Sequence, residues 1–327
     1  MTRQNETGGA GRLVAVVVTH NRLHQLEITL ARLLDAPPAH LAAVVVVDNA
    51  SSDDTPAWLR AQDDPRLHPV FSDRNLGGAG GFEIGMRHAV ETLAPDWMVV
   101  MDDDARPEPV CLAAFHAADR SGFDAWCSAV FHLDGRICDM NRPAINPFWH
   151  RDVLRRTALG GGREAFHFGE AEMHGTEQRE IDISSFVGMF VSGAIVSRIG
   201  YPDGSLFIYG DDTLYSLGLR KAGGRICFDP SLRFEHDFTT MVGGEKRHRP
   251  IWKTYYHHRN LLMVYRLASG WFFIPALFAV IPKWLSKVRL YKGERLIFLR
   301  LILRAIWHGL LRKTDVSHED VLSWTRN

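Results

Sequence analysis

The chain has 327 residues, enough for one large domain or two medium ones, and 46% of them are hydrophobic, which allows a sizeable core. Lysine plus arginine and aspartate plus glutamate each total 38, so the overall charge gives no indication of a nucleic-acid partner. The four cysteines show neither metal-ligand spacing nor a disulfide framework, which favours a reducing, cytosolic compartment.

Apolar runs alternate with helix-like segments along the first third of the chain. Residues 1–11 are polar and predict a loose tail without the apolar core of a signal peptide. Buried strands are predicted where four apolar runs occur, at residues 13–18, 44–47, 67–71 and 97–101. Helices are expected between them, at residues 23–34, from about 55, and at about 82–93. The alternation predicts a parallel, doubly wound α/β sheet whose polar strand ends share one rim.

Three consecutive carboxylates, Asp102, Asp103 and Asp104, end the fourth apolar run. Carboxylates this close repel one another unless a cation lies between them. Oxygen ligands suit Mg²⁺ or Mn²⁺, and these ions commonly also hold substrate phosphates. The triplet therefore predicts a divalent-metal site for a phosphorylated substrate, and the alternative is a solvated acidic loop.

The glycine-rich run at residues 77–81 reads as a tight turn before the helix expected at 82–93. It does not have the G-x-G-x-x-G spacing after the first strand that a dinucleotide-binding fold requires. The sequence also contains no G-x-x-x-x-G-K-[ST] phosphate loop. A turn of this composition lets backbone N–H groups approach a ligand closely, and the alternative is a turn without that role.

The regular alternation of predicted strands and helices ends after residue 125. A strand is expected at 126–131, an irregular and partly mobile insertion at about 140–179, strand-like sequence at 181–192, and a short strand at 226–228. A further apolar run at 206–208 leads to Asp211 and Asp212, and a helix follows. One of these two carboxylates could cap that helix. His236 follows about 24 residues later.

The C-terminal part of the chain combines an apolar segment with a basic one. Residues 271–281 are almost wholly apolar but too short for a spanning helix, which needs roughly 18 or more apolar residues. Residues 283–313 are rich in basic side chains, four of which recur every fourth residue: Arg300, Arg304, His308 and Arg312. A basic stripe beside an apolar surface predicts peripheral attachment to an anionic membrane. The alternative is a helix pair that covers the catalytic domain.

Five motifs in one order carry a family resemblance, although each motif is weak by itself. They lie at residues 16–22 (VVVTHNR), 46–51 (VVDNAS), 74–82 (RNLGGAGGF), 101–104 (MDDD) and 207–212 (FIYGDD). In this combination the chain resembles inverting family-2 glycosyltransferases of the GT-A fold, and most closely their bacterial galactofuranosyl- and rhamnosyltransferase branch. The resemblance covers about residues 13–240.

The resemblance implies a Rossmann-like, doubly wound and mostly parallel GT-A sheet with a C-terminal, membrane-associating helical region. The tail would be residues 1–11 and the catalytic domain 12–245, with a nucleotide-binding half at about 12–124 and an acceptor half at about 125–245. Residues 246–327 would form the helical region.

The resemblance also implies the site residues. The donor nucleotide sugar would contact Thr19, Arg22, Asp48, Asn75, Gly77, Gly78 and Asp103. A Mn²⁺ or Mg²⁺ ion would be bound by Asp102, Asp104 and His236. Asp212 would be the general base that takes the proton of the acceptor hydroxyl. The acceptor side would include Tyr209, Asp211 and His258.

The implied activity is metal-dependent transfer of galactofuranose or rhamnose from a nucleotide-diphosphate donor to a lipid-linked or cell-envelope glycan, at the cytosolic face of the membrane. Related galactofuranosyltransferases often have tryptophan directly before the Asp pair, where this chain has Gly210, so rhamnose from a dTDP donor stays open. Two other classes are possible. A metal-dependent nucleotidyltransferase or phosphohydrolase could use the same triplet, and a non-enzymatic nucleotide-sugar-binding protein would not need the acids that both sites retain. The sequence leaves the oligomeric state open.

Overall fold

The computed structural model describes residues 11–237 and 247–326, so nearly all of the predicted tail at 1–11 lies outside the described residues. The described residues form one mixed, nine-stranded sheet with the order β3-β2-β1-β4-β8-β6-β9-β5, and β7 pairs with β9. Its strands are β1 (Leu13–Thr19), β2 (Ala43–Asp48), β3 (Leu67–Phe71), β4 (Trp97–Asp102), β5 (Ala105–Pro107), β6 (Ala125–Phe131), β7 (Arg179–Ile181), β8 (Met189–Ser192) and β9 (Ile226–His236).

Helices cover both faces of the sheet and form the C-terminal region. They are α1 (Leu23–Leu34), α2 (Thr55–Arg60), α3 (Gly77–His88), α4 (Cys111–Ala117), α5 (Arg151–Arg156), α6 (Glu170–Met173), α7 (Gly193–Ile199), α8 (Asp211–Lys221), α9 (Lys253–Ser269), α10 (Phe273–Ser286), α11 (Arg295–Leu311) and α12 (His318–Ser323). Separate apolar clusters lie on the two sheet faces, as expected for strands that are buried on both sides.

The first four strands are parallel and adjacent, as the sequence predicts. In their register Thr19 lies beside Asp48, and Val18 lies beside Asp102. The polar residues that follow each strand therefore share one rim, where ligands bind in open α/β sheets.

The other half of the sheet departs from the prediction at β9. The short strand expected at 226–228 continues to His236, because a register shift in its pairing with β6, between Ser128 and Ala129, accommodates the Asp229-Pro230 step. The extended strand pairs antiparallel with β5, with Ala105 opposite His236. That pairing carries His236 to the acidic triplet, which a three-residue strand would not have reached.

The turn predicted from the glycine-rich run at residues 77–81 is wrong, because these residues form the first turns of α3. Only Gly77 among them has a left-handed backbone, with φ of 70°. A Cβ added at Gly85 would lie 2.5 Å from Cγ1 of Val16 and 2.9 Å from Cγ2 of Val47. Glycine in this helix therefore allows close packing of α3 on the strands β1 and β2.

The C-terminal helices pack on one another and on the part of the chain that contains the sheet. Tyr255 and Leu262 of α9 share an apolar cluster with Phe298, Leu301 and Ile302 of α11. The part of α9 that follows also contacts α8. Helices α9 and α11 thus form a pair that packs on the rest of the protein, which is the alternative that the sequence left open.

The predicted basic stripe does not face outward as a unit. Arg300 donates to the backbone carbonyls of Trp324 and Arg326, and the Arg304 guanidinium lies 4.7 Å from the centre of the Trp324 ring. His308 Nδ1 lies 2.7 Å from the Tyr255 hydroxyl. The stripe is therefore largely occupied by the chain's own C-terminal segment, which the helical periodicity of α11 could not indicate.

The apolar segment around α10 is the exposed part of this region. Trp271 is 97% exposed and Phe278 is 79% exposed. The successive helices of residues 253–290, taken together, are long and apolar enough to cross a membrane by length and composition, although residues 271–281 alone are too short. The run is interrupted at Gly270, where φ is 52°, and α9 before it is mostly buried against the rest of the protein.

Candidate active site

Three of the predicted site residues meet at the end of β4. One ligand atom from each of Asp102, Asp104 and His236 lies within 4.8 Å of the others. His236 Nε2 is 3.1 Å from Oδ1 of Asp104. Asp104 and His236 are buried, while Asp102 keeps part of its surface accessible. Two carboxylates and an imidazole in this arrangement fit the donor set of a divalent cation.

Asn141, which the sequence did not single out, orients the histidine. Its Oδ1 lies 2.9 Å from Nδ1 of His236 and accepts the proton of that nitrogen. The other ring nitrogen, Nε2, is thereby directed toward Asp104 and Asp102. A hydrogen bond of this kind sets the tautomer of a metal-binding histidine. Asn141 lies in the stretch predicted as an irregular insertion, where no spacing signal marks it.

The positive groups near the acidic triplet do not fully offset the burial and mutual repulsion of its carboxylates. Burial, and then the charge of Asp104, raises the pKa of Asp102 to about 7. Burial also raises the pKa of Asp103 to about 6, although Arg22 opposes it. Burial would lower the pKa of His236, but its hydrogen bond to Asp104 prevails and raises that pKa to about 10. A bound divalent cation would relieve this shortage.

Arg22 and Thr19 hold the triplet from the rim of β1. Arg22 Nη1 lies 2.5 Å from Asp104 and 3.1 Å from Asp103, and the Thr19 hydroxyl donates to Asp103 over 2.7 Å. The structure thus brings Thr19, Arg22 and Asp103 together. The carboxylate of Asp103 is engaged by these two neighbours.

The other predicted donor residues line the ends of β2 and β3. Asp48 is buried and accepts from the Ser51 N–H at 3.0 Å. Asn75 Oδ1 accepts from the N–H of Gly77 at 2.8 Å, and Gly78 follows in an open position with no atom within 4 Å of an added Cβ. Asp48 thus lies at the end of β2, and Asn75 leads into α3, which Gly77 and Gly78 begin at the rim.

Asn49, which the sequence did not single out, joins the end of β2 to the start of α3. The amide of Asn49 donates to the carbonyl of Gly77 at 2.9 Å and accepts from the N–H of Leu76 at 2.9 Å. Asn49 directly follows Asp48 in the motif at residues 46–51, so the sequence places it near the site. Its hydrogen-bond partners, Leu76 and Gly77, lie in a loop that is distant along the chain.

Asp211 and Asp212 open α8, as the sequence predicts, and the apolar run before them forms a strained loop. Phe207, Tyr209 and Gly210 all have left-handed backbones, with φ of 69°, 68° and 79°. Such conformations are held in place only by surrounding contacts when the residue is not glycine.

The contacts that hold this loop come from α9. The Asn260 side-chain amide contacts the carbonyls of Ile208 and Tyr209, each at 2.8 Å. Arg259, which is fully buried, donates to the carbonyl of Leu206 at 2.8 Å. The two side chains therefore fix the backbone that presents the Asp pair, a role that no sequence pattern indicated.

The two carboxyl groups of the pair differ. Burial, then the charge of Asp212 and the field of Asp102, raises the pKa of Asp211 well above the ordinary value. Burial also raises the pKa of Asp212, but the backbone N–H of Thr213, 2.6 Å away, and its hydroxyl favour the charged form. Asp212 is also the more accessible of the two.

Tyr209 and His258, predicted on the acceptor side, lie in the region where α9 meets this loop. The Tyr209 ring is 5.7 Å from the ring of His257. His258 is fully buried, and its Nδ1 donates to the Thr254 carbonyl at 2.7 Å. Tyr209 and His257 are therefore partly accessible from solvent, whereas His258 lies behind them and is not.

The sequence model of Glycosyl transferase family 2 matches residues 14–158. The galactofuranosyltransferase GlfT1 of Mycolicibacterium smegmatis is 26% identical over 305 residues, which cover 86% of this chain and 96% of that protein.

Two solved structures have a similar fold. Residues 1–349 of S. aureus TarS, in complex with UDP-GlcNAc, superpose with a TM-score of 0.56 at 15% identity, covering 96% of this chain and 89% of that chain. The mannosyltransferase PcManGT of Pyrobaculum calidifontis, in complex with GDP-Man and Mn²⁺, gives a TM-score of 0.51 at 19% identity, covering 93% and 88%.

Proposed function

Because the chain belongs to glycosyl transferase family 2 and has the GT-A fold, we propose that it is a metal-dependent inverting transferase of galactofuranose. The donor is a nucleoside diphosphate sugar, and the acceptor is a lipid-linked or cell-envelope glycan. The name of the M. smegmatis relative supports galactofuranose, and the UDP-GlcNAc bound to TarS supports a uridine nucleotide.

The observation that carries the proposal is the convergence of Asp102, Asp104 and His236. These side chains would hold Mn²⁺ or Mg²⁺, and the Mn²⁺ in the mannosyltransferase complex supports the same class of ion. When bound, the ion supplies positive charge for the leaving diphosphate. Arg22 contacts Asp103 and Asp104 and adds a second positive group on the donor side.

The remaining roles follow from position. Asp212 is the general base, because it is the more accessible acid of its pair and Thr213 favours its charged form. Asp211 lies in the field of Asp102 and so links the two groups of acids. The nucleotide sugar is contacted by Thr19, Asp48, Asn75, Gly77, Gly78 and Asp103, all at the rim of the parallel strands.

The protein attaches to the inner face of the cell membrane from the cytosolic side. The support is the exposed apolar surface that includes Trp271, Phe272, Ile274 and Phe278. Such a surface enters the interface between lipid headgroups and acyl chains. It would bring the catalytic rim to a lipid-linked acceptor.

The test is metal-dependent protection by nucleotide sugars against thermal unfolding. A saturating ligand at a hundred times its Kd stabilises a protein by about 2.7 kcal/mol. We expect UDP-galactofuranose with Mn²⁺ to raise the Tm of the wild type, and Asp104→Ala to lose the Mn²⁺-dependent part of that shift. Asp134→Ala, at an exposed turn, is the control and should keep it. An unchanged Mn²⁺ titration in Asp104→Ala would refute the metal assignment.

A further inference from the structure

A cluster of basic side chains lies between the catalytic rim and α10. We call it the basic cluster: His248, Lys253, His257, His258 and Lys287. The ring of His248 is 4.5 Å from that of His257 and 5.8 Å from that of His258, and the rings of His257 and His258 are 4.9 Å apart. Three imidazoles this close need a reason beyond apolar packing.

The two lysines of the cluster carry positive charge without a carboxylate partner among the described residues. Within the described residues, neither Lys253 nor Lys287 has a carboxylate oxygen within 4.0 Å. Burial, followed by the charges of Lys287 and Lys253, lowers the pKa of His248 to about 4. Burial and the neighbouring Lys283 also lower the pKa of Lys287. Lys253 Nζ lies 5.9 Å from the centre of the Trp252 ring, which offsets only part of its charge. Half-buried ammonium groups without a carboxylate partner are unfavourable unless an anion compensates them.

The innermost histidine has an unused nitrogen. His258 is fully buried, and its Nδ1 donates to the Thr254 carbonyl. Its Nε2 has no hydrogen-bond partner in the part of the chain that the structure describes. The ring stands edge-on to His248 and His257, at 87° and 82°. Buried polar atoms in native proteins are nearly always paired, so a group is missing here. Because Nδ1 carries the proton, Nε2 of the neutral ring accepts, and the hydroxyl of a singly protonated phosphate is a donor of the kind it lacks.

The position of the cluster identifies the kind of anion. On one side, Lys253 lies in the field of Arg22, which contacts Asp104. On the other side, the ring of Trp284 of α10 packs 4.8 Å from that of His258. α10 has 14 residues and is about 21 Å long, and its far end carries the exposed apolar side chains.

We propose that the basic cluster binds the phosphate or diphosphate that joins the acceptor glycan to its lipid, with the lipid chain lying along α10. The inference rests on the proposed function and names its acceptor class. The donor diphosphate belongs to the metal-binding acids on the other side of Arg22, so the cluster provides a second anion site.

The experiment measures binding of farnesyl phosphate to the full chain by calorimetry, with farnesol, inorganic phosphate and UDP plus Mn²⁺ as separate ligands. The variant is Lys287→Gln, and Lys287→Arg keeps its charge. Lys292→Gln, an exposed lysine outside the cluster, is the matched control. The Tm of each variant shows whether it folds as the wild type does.

We expect Lys287→Gln to bind farnesyl phosphate at least tenfold more weakly, while Lys287→Arg and Lys292→Gln stay within about twofold of the wild type. UDP with Mn²⁺ should bind equally to all four proteins. Farnesol and inorganic phosphate should each bind more weakly than farnesyl phosphate, because the site needs both the anion and the lipid.

Three results would overturn the inference. They are wild-type affinity for farnesyl phosphate in Lys287→Gln, an equal loss of UDP binding in that variant, which would assign the cluster to the donor, and inorganic phosphate binding as tightly as the ester. Failure of the proposed function is seen separately, as no binding of UDP or its sugars by the wild type with Mn²⁺. The farnesyl phosphate measurement stands without that result.

Discussion

Asp102, Asp103 and Asp104 are consecutive, yet their surroundings give them different chemistry. Asp103 is held by Thr19 and Arg22, whereas Asp104 pairs with His236 and Arg22. Asp102 has the highest pKa of the three because it is desolvated and lies beside charged Asp104. At the scale of single residues, neighbours from distant parts of the chain decide the role of each carboxylate.

The same reasoning applies to the Asp pair and gives a prediction for Asp212→Asn. An amide cannot take the proton of the acceptor hydroxyl, so transfer should fall by about 10²–10⁴-fold, the range that general bases contribute. Binding of UDP with Mn²⁺ should stay within about twofold, because the proposed role of Asp212 is toward the acceptor and not the nucleotide. Turnover and nucleotide affinity are the measurements, and Asp152→Asn, at an exposed position of α5, serves as control. Normal turnover in Asp212→Asn would remove it as the base.

The raised pKa of Asp212 also predicts a pH dependence. The base acts in its charged form, so the transfer rate should fall on acidification through this raised pKa. The fall should therefore begin above the pH at which an ordinary aspartate, with a pKa of about 3.9, is protonated. A profile of kcat against pH tests this, and a rate that increases on acidification would contradict it.

At the scale of elements, β9 and α3 position the site. The length of β9 delivers His236 to β5, and α3 begins at the rim where the donor would lie. The close packing of α3 on the sheet depends on side chains being absent at its inner face. A glycine there is a packing requirement rather than a mark of a flexible loop.

Gly85→Ala tests this packing. Its Cβ would lie 2.5 Å from Val16 and 2.9 Å from Val47, so we expect a loss of about 1–3 kcal/mol in the free energy of unfolding, as for other overpacked cores. Gly218→Ala in α8 is the matched control, because an added Cβ there has no atom within 4 Å. That change should stabilise the helix by up to about 1 kcal/mol. Denaturant titration measures both, and equal effects would contradict the packing account.

At the scale of the whole molecule, α9 connects catalysis to the C-terminal region. It supplies Asn260 to the loop before the Asp pair and packs on α11 through Tyr255 and Leu262. Deleting everything after residue 270 would therefore remove the partner of α9 together with the apolar surface. A loss of membrane binding after that deletion would have two explanations.

Point changes on the exposed surface are a sharper test of membrane attachment. Replacing Trp271 and Phe278 by serine should weaken binding to anionic vesicles at least tenfold, because burying each ring contributes about 1.5–3 kcal/mol. Leu159→Ser, at a residue that is 76% exposed elsewhere, should leave binding unchanged. Sedimentation with vesicles is the measurement, and equal sedimentation of both variants would refute attachment through this surface.

Salt gives an independent readout of the same attachment. Arg300 and Arg304 are engaged with the C-terminal segment, so the attachment should rely mainly on apolar burial. Between 50 and 300 mM salt, vesicle binding should fall only slightly, because screening acts on charges and not on apolar contacts. A steep fall would restore the basic stripe as the anchor.

The sequence by itself determined the parallel strands, their shared rim and the acids that follow them, because buried strands and strand ends are local patterns of hydrophobicity and charge. It also carried the resemblance to family-2 glycosyltransferases, since the five motifs occur in one order. Only the tertiary structure decided that β9 reaches Asp104, that Asn141 orients His236, and that Asn260 holds the loop before Asp211. These contacts join residues tens to more than a hundred positions apart, and no local period records which of them meet.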